Sequence, residues 1–367
     1  MSSTYDIAVI GAGIAGASIA AELAPHARVL LAEAEDTPGY HTTGRSAAFF
    51  HEAYGGPSVA PLSMASGPRL RELGVLSPRG SLYIGREEDA PLLEQYVARF
   101  AGIGAVIERV GRTGLERRIP GVRPEWTLAL YEPACADIDV AALHQHYLAE
   151  ARRAGAELRV SARLEAAERE AEGDGWRLDF GRAGEARARL IVNAAGAWAD
   201  EVATLADARP VGITPFRRTI AQLRTDPAPP ADLPLVLDIN SRFYFKPEHG
   251  RLWLSPEEET PSPPCDAAPE EIDVAIAIDR FEKVVDWRIE AVERKWAGLR
   301  SFAPDRLPVY GYDPRRDGFF WFAGQGGFGI QTAPAAARLA AQLLLELPRD
   351  AMTERLDAAL YSPARFG

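Results

Sequence analysis

Four residues near the N-terminus carry the most specific chemical pattern in the sequence. Gly11, Gly13 and Gly16 form a GxGxxG run, and Glu33 stands 22 positions beyond the first of them. At that spacing the first glycine permits a tight turn, the second lets backbone approach a pyrophosphate, and the third lets a helix pack on its strand. A helix opening at this turn offers amides and a favourable dipole to a diphosphate, and the acid accepts hydrogen bonds from ribose hydroxyls. Such chemistry needs a strand before the turn and a helix after it. Residues 7–10 are apolar throughout, as in a parallel strand covered on both faces. An Ala-rich helix follows and stops before Pro25, and 29–32 reads as a second strand that delivers Glu33. The expected unit is a dinucleotide site, with a purely structural βαβ unit as the alternative, and FAD and NAD share the pattern.

Two further junctions repeat the strand, small-residue turn and helix order. Residues 187–192 lead into Asn193-Ala-Ala-Gly196-Ala-Trp198, and 319–323 lead into Gly324 to Thr332 before an apolar helix at 335–345. A helix preceded by Gly327-Phe-Gly-Ile-Gln-Thr332 aims its dipole at the flavin N1–C2=O edge, where negative charge develops on reduction, which favours a flavin. A helix at 143–153 and strands at 157–161 and 176–180 complete this part. Stretches 81–139 and 206–299 differ: they are rich in Pro, aromatic and alternating residues such as 242–246 and 251–254, the mark of antiparallel strands, with 261–264 as a surface loop. The expected fold is α/β. A Rossmann-like FAD-binding domain made of 1–80, 140–205 and 300–367 is interleaved with a mixed, mostly antiparallel sheet substrate domain made of 81–139 and 206–299.

Composition narrows the function classes. The 367 residues carry 41 basic and 52 acidic side chains, a net charge of −11, which argues against a nucleic-acid partner. Three of the basic residues are lysines (Lys246, Lys283, Lys295), leaving 38 arginines. Arginine grips carboxylates bidentately, so a few of these are candidates for specific binding. Two cysteines, Cys135 and Cys265, exclude a disulfide scaffold and a cysteine zinc site and fit a cytoplasmic protein. His144 and His146 sit two apart on a helix and face different ways, so no metal site is expected. The uncharged stretch 7–21 is too short and too glycine-broken for an integral membrane segment.

Read together, GAGIAGAS (11–18), GYHTTGRSAA (39–48), ADIDVAALHQ (136–145), NAAGAW (193–198), WAGLRSF (296–302) and GQGGFGIQT (324–332) resemble the glycine oxidase and D-amino-acid oxidase family of FAD-dependent oxidoreductases. Within that family they are most similar to the bacterial D-arginine dehydrogenase type. The resemblance implies an FAD domain beneath a substrate domain and oxidation of an amine carbon. It places Gly11, Gly13, Ile14, Ala15 and Glu33 at the ADP half. Thr43, Gly44, Arg45 and Ser46 would run beside the isoalloxazine, as would Gly329, Ile330, Gln331 and Thr332, with Ala194 and Gly196 approaching by backbone. Covalent members attach flavin through a cysteine near the C-terminal motif; none follows Cys265, so non-covalent FAD is expected.

For the substrate, the resemblance implies an α-carboxylate clamp by Arg300 of the GLR segment, with Tyr244 and Arg218 as further contacts. Tyr54 would cap the pocket from a loop, and the Gly327 carbonyl would accept from the amine. Arg217 remains the rival of Arg218, since strand alternation sets them on opposite faces. His51 lies near the cap and reads as a surface or capping residue sooner than a base. Where the D-arginine dehydrogenase type has a glutamate for the substrate guanidinium this chain has Ser81, and a pocket histidine is replaced by Phe49. Phe49, Phe50, Ser81 and Tyr83 therefore suggest a more apolar pocket. The expected reaction is oxidation of a neutral or hydrophobic D-amino acid to its imino acid, then to 2-oxo acid and ammonia, with oxygen or a quinone-type molecule as electron acceptor. The alternatives are oxidation of glycine, an N-methyl amino acid or a 2-hydroxy acid, or a flavin-carrying subunit of a larger complex.

Overall fold

A computed structural model describes residues 3–170 and 175–367. The opening strand Ser3–Ile10 pairs in parallel with Val29–Ala32 on one side and Glu185–Asn193 on the other. Glu157–Arg159 extends the sheet in parallel beyond Val29–Ala32, and Phe319–Ala323 joins Glu185–Asn193 in parallel. Antiparallel strands Ala166–Arg169, Trp176–Asp179 and Val309–Tyr312 bring the total to eight. Alternation along the first strand explains why both faces are covered: Ile7 and Val9 join one core with Leu143, Tyr147 and Leu339, whereas Ala8 and Ile10 join another with Trp176 and Trp321.

Three helices cover the first of these faces: Ile14–Leu23, Val140–Arg153 and Gly329–Leu344. The middle one starts at a capped turn, where the Asp139 carboxylate accepts from Ala142 N at 2.9 Å. The last one begins six residues earlier than the apolar pattern suggests. Gly329 to Thr332 form its first turn, with Thr332 N donating to Phe328 O at 3.1 Å and the Gln331 and Thr332 side chains buried. Polar residues that find partners inside the protein lengthen a helix past the end of its apolar stripe.

The second sheet has nine strands, all from residues 81–132 and 214–302. It is antiparallel except where Leu235–Asp238 runs parallel to Ser81–Gly85. Its longest pair is Thr214–Asp226 with Arg288–Phe302. Helix Glu271–Glu282 closes one face, packing its Phe281 with Trp126, Phe245 and Trp287. A small sheet of Phe49–Phe50, Leu76–Pro78 and Ala136–Ile138 completes the framework. Among the described residues no helix is long and apolar enough to cross a membrane.

Candidate active site

A cavity of about 710 Å³ runs from the Gly11 turn to Arg300 and takes walls from both large sheets. At its first end, Gly11 has φ of +96°, and a Cβ there would lie 2.7 Å from the Ala194 carbonyl oxygen. A Cβ at Gly16 would stand only 1.7 Å from the Gly11 oxygen, so the turn closes on its helix only without one. Thr43 Oγ1 accepts from Ile14 N at 2.9 Å, and the helix carries no acid in its first turn. Glu33 Oε2 accepts from Ala12 N at 2.8 Å and Oε1 from Glu35 N at 3.0 Å, which fixes the carboxylate on the cavity wall. A helix start without an acid of its own, glycines that leave room and a fixed acid suit the diphosphate and ribose of FAD. His144 supports this end from behind, with Nε2 2.9 Å from Ala12 O; His146 turns to Glu150 at 3.2 Å. Among the described residues no cluster of metal ligands occurs.

Along the middle, Gly13, Ile14, Ala15, Arg45, Ser46, Ala194, Gly196, Gly329, Ile330 and Gln331 line the cavity. The Arg45 guanidinium itself turns away, bonded to Ala267 O and Ala297 O and paired with Asp266. Gly44 and Thr332 do not line it: Gly44 N donates to Gly39 O at 2.8 Å, and Thr332 Oγ1 donates to Phe328 O at 2.9 Å. Both shape the wall from behind. Several lining residues lie within the motifs but are not among the expected site residues. His41 bridges Glu35 at 2.9 Å and packs 4.6 Å from Trp198. Gln325 accepts from the Tyr310 hydroxyl at 2.7 Å, and its Nε2 has no partner among the described residues.

At the far end, Arg300 Nη1 donates to the Tyr54 hydroxyl at 2.7 Å. A Cβ at Gly327 would lie 2.8 Å from that hydroxyl and 2.9 Å from Arg300 Nη1, so glycine keeps the space in front of the guanidinium open. Arg218 lines the cavity; Arg217 points the other way, pairing with Asp273 at 2.9 Å and with Glu270. Tyr244 also lines the cavity and is 2% exposed. Burial pushes its phenol up, against the pull of Arg300 and Arg218, so it stays protonated. The Phe49 ring sits 5.6 Å from Tyr54 and 6.0 Å from Tyr244.

The other three residues of the expected pocket stand off the cavity. Phe50, one step along the same short strand, points into the core with Leu62 and Leu70. Ser81 is fully buried, and Tyr83 packs between His51 and Tyr96 at 5.6 and 4.6 Å. Behind the Tyr54 loop lies a buried polar pair that no motif marks. Glu132 Oε1 accepts from Glu52 N at 2.8 Å, and its Oε2 is 3.4 Å from His51 Nδ1. Burial pushes Glu132 up to about 7 against its backbone hydrogen bonds. Burial also lowers His51 to about 4, against the pull of Glu52, so the imidazole is neutral at neutral pH. From the other side Gln331 Oε1 accepts from His51 N at 2.9 Å. The loop that carries Tyr54 to Arg300 is thus held from the second sheet and from the last helix.

A strand, glycine turn and helix with an acid on the next strand, opening into a cavity that ends at an enclosed arginine, define an FAD-dependent oxidoreductase. The chain belongs to the DAO family of FAD dependent oxidoreductases, whose model matches residues 6–343. It is 25% identical over its whole length to the hydrogen cyanide synthase subunit HcnC of Pseudomonas aeruginosa, covering 97% of that protein. It is 27% identical over 67% of its length to the glycine oxidase of the same organism, covering 65% of that protein. The crystal structure of glycine oxidase from Geobacillus kaustophilus superimposes with a TM-score of 0.85 at 24% identity, over 99% of both chains. The mixed α/β architecture is therefore that of this family, with FAD as its cofactor.

Proposed function

We propose that the protein oxidises a free D-amino acid with a neutral or hydrophobic side chain to its imino acid, which water converts to 2-oxo acid and ammonia. The observation that carries this reading is Arg300, enclosed at the cavity's end with its Nη1 on Tyr54 and open space in front of it at Gly327. A fixed guanidinium facing a cofactor cavity is a carboxylate clamp. The relationship to a glycine oxidase supports an amino acid as the molecule it holds. Bound FAD supplies the two-electron acceptor for the hydrogen leaving the substrate Cα.

The chain's own residues bind and orient. Arg300 grips the carboxylate, Tyr54 and Tyr244 donate from either side, and the Gly327 carbonyl accepts from the amine. Orientation of this kind makes the reaction effectively intramolecular. His51 lies off the cavity wall and burial makes it a weak base, so the amine sheds its proton without it. Phe49 and Tyr244 give the side chain an aromatic wall, with Tyr54 packed on Phe49, which favours apolar substrates over cationic ones. We take FAD to be dissociable, and the eight- and nine-stranded sheets to mark the cofactor and substrate domains. Purified holoenzyme assayed with D-leucine, D-methionine, D-phenylalanine and D-arginine, with oxygen and with an artificial acceptor, tests the side-chain preference. The neutral acids are expected to exceed D-arginine in kcat/KM by about tenfold or more, the cost of desolvating an unpaired cation; a strong preference for D-arginine would refute the aromatic-wall argument.

A further inference from the structure

Against Arg218, which lines the far end of the cavity, lies an acid that no sequence motif marks. Glu257 follows strand Arg251–Ser255 with φ of +55°, a left-handed conformation that a residue with a side chain keeps only where its surroundings impose it. Its side chain is 12% exposed, and Oε1 lies 3.5 Å from Arg218 Nη1. This is an ion pair without a hydrogen bond: Arg218 Nε and Nη1 are buried and have no hydrogen-bond partner among the described residues. Burial pushes the Glu257 carboxyl up, while Arg218 and Arg300 pull it back. Glu259 also approaches Arg218, at 3.7 Å, but is 40% exposed and is bonded to Arg306 at 2.6 Å, so solvent and Arg306 claim most of its charge.

Glu257 contacts Arg218 directly, and the largely buried Glu258, held by Thr219 N, adds its charge to the same side, so Arg300 is the guanidinium left for one substrate carboxylate. We propose that Glu257 is a specificity-determining residue that occupies the charge of Arg218, restricting the clamp to monocarboxylates and rejecting dicarboxylic substrates such as acidic amino acids. The inference rests on the carboxylate clamp of the proposed function. A second substrate carboxylate reaching Arg218 meets Glu257 in a desolvated site, where like charges repel strongly, so selectivity comes from a repulsive element. Without Glu257, the unpartnered N–H groups of Arg218 form a second carboxylate site beside Arg300.

The test uses the FAD-loaded protein titrated with butyrate and with succinate, four-carbon acids that differ by one carboxylate, read by flavin absorbance. The wild type is expected to bind butyrate at least as tightly as succinate. Glu257→Gln is expected to raise the succinate-to-butyrate affinity ratio about tenfold or more. Glu257→Gly removes both the charge and the backbone strain and is expected to do the same, which keeps the test decisive if the glutamine variant fails to fold. A ratio unchanged in both variants, or a wild type that prefers succinate, overturns the inference. Arg300→Met separates this outcome from failure of the clamp: loss of both acids in that variant keeps the clamp, whereas butyrate binding indifferent to it removes the clamp and the inference together.

Discussion

Arg300→Met keeps its FAD and its fold but loses at least about 100-fold in kcat/KM for its amino acid, most of it through KM. Methionine has similar length and volume, so the packing around Tyr54 and Gly327 is retained. What disappears is a pair of charge-assisted hydrogen bonds, each worth about 1.5–3 kcal/mol. A contact made equally in ground and transition states appears in KM, whereas lost alignment of Cα appears in kcat. The Tyr54 hydroxyl, 2.7 Å from Nη1, also loses its donor, which loosens the cap over the site. Steady-state kinetics alongside the flavin spectrum checks the result. Wild-type kinetics in the variant would show that the carboxylate is held elsewhere.

Gly16→Ala fails at the other end of the cavity, and by a different mechanism. The new methyl group would sit 1.7 Å from the Gly11 carbonyl oxygen, a separation no non-bonded pair sustains. Backbone, not a flexible side chain, is the obstacle, so helix Ile14–Leu23 must move off strand Ser3–Ile10. That displacement carries the helix amides away from the diphosphate and breaks the packing of Ile19 and Leu23 in the core. The expected outcome is protein purified with less than about a tenth of the wild-type FAD and a melting temperature lower by several degrees, the shift that a few kcal/mol produces. Stoichiometric FAD at an unchanged melting temperature would mean that the turn has slack the geometry does not show.

The two variants also mark what could be read from the sequence. The Gly11 turn, its strands and Glu33 were legible because their constraints are local: each glycine answers to residues within a few positions, and the acid ends the next strand. The strand Phe319–Ala323 was legible for the same reason. Arg217 and Arg218 could not be ordered from sequence, because alternation says only that they oppose; helix Glu271–Glu282, packed on one side, takes Arg217 and leaves Arg218 to the cavity. Phe50 shows alternation working against a motif reading, since two adjacent phenylalanines on one strand cannot both face a pocket. Glu132 and Glu257 were invisible because their partners come from segments distant in sequence, and their meaning lies in burial and in partners 80 and 39 residues away at Glu52 and Arg218. The early start of the last helix depended on buried partners for Gln331 and Thr332 that no periodicity records.

The most direct measurement of the central claim is anaerobic mixing of the holoenzyme with D-leucine and, separately, with L-leucine, following the flavin band near the visible maximum. Bleaching within seconds by D-leucine, saturating with concentration and absent with L-leucine, is the result predicted here. A flavin that stays oxidised with every D-amino acid, or that L-leucine reduces faster, would contradict it.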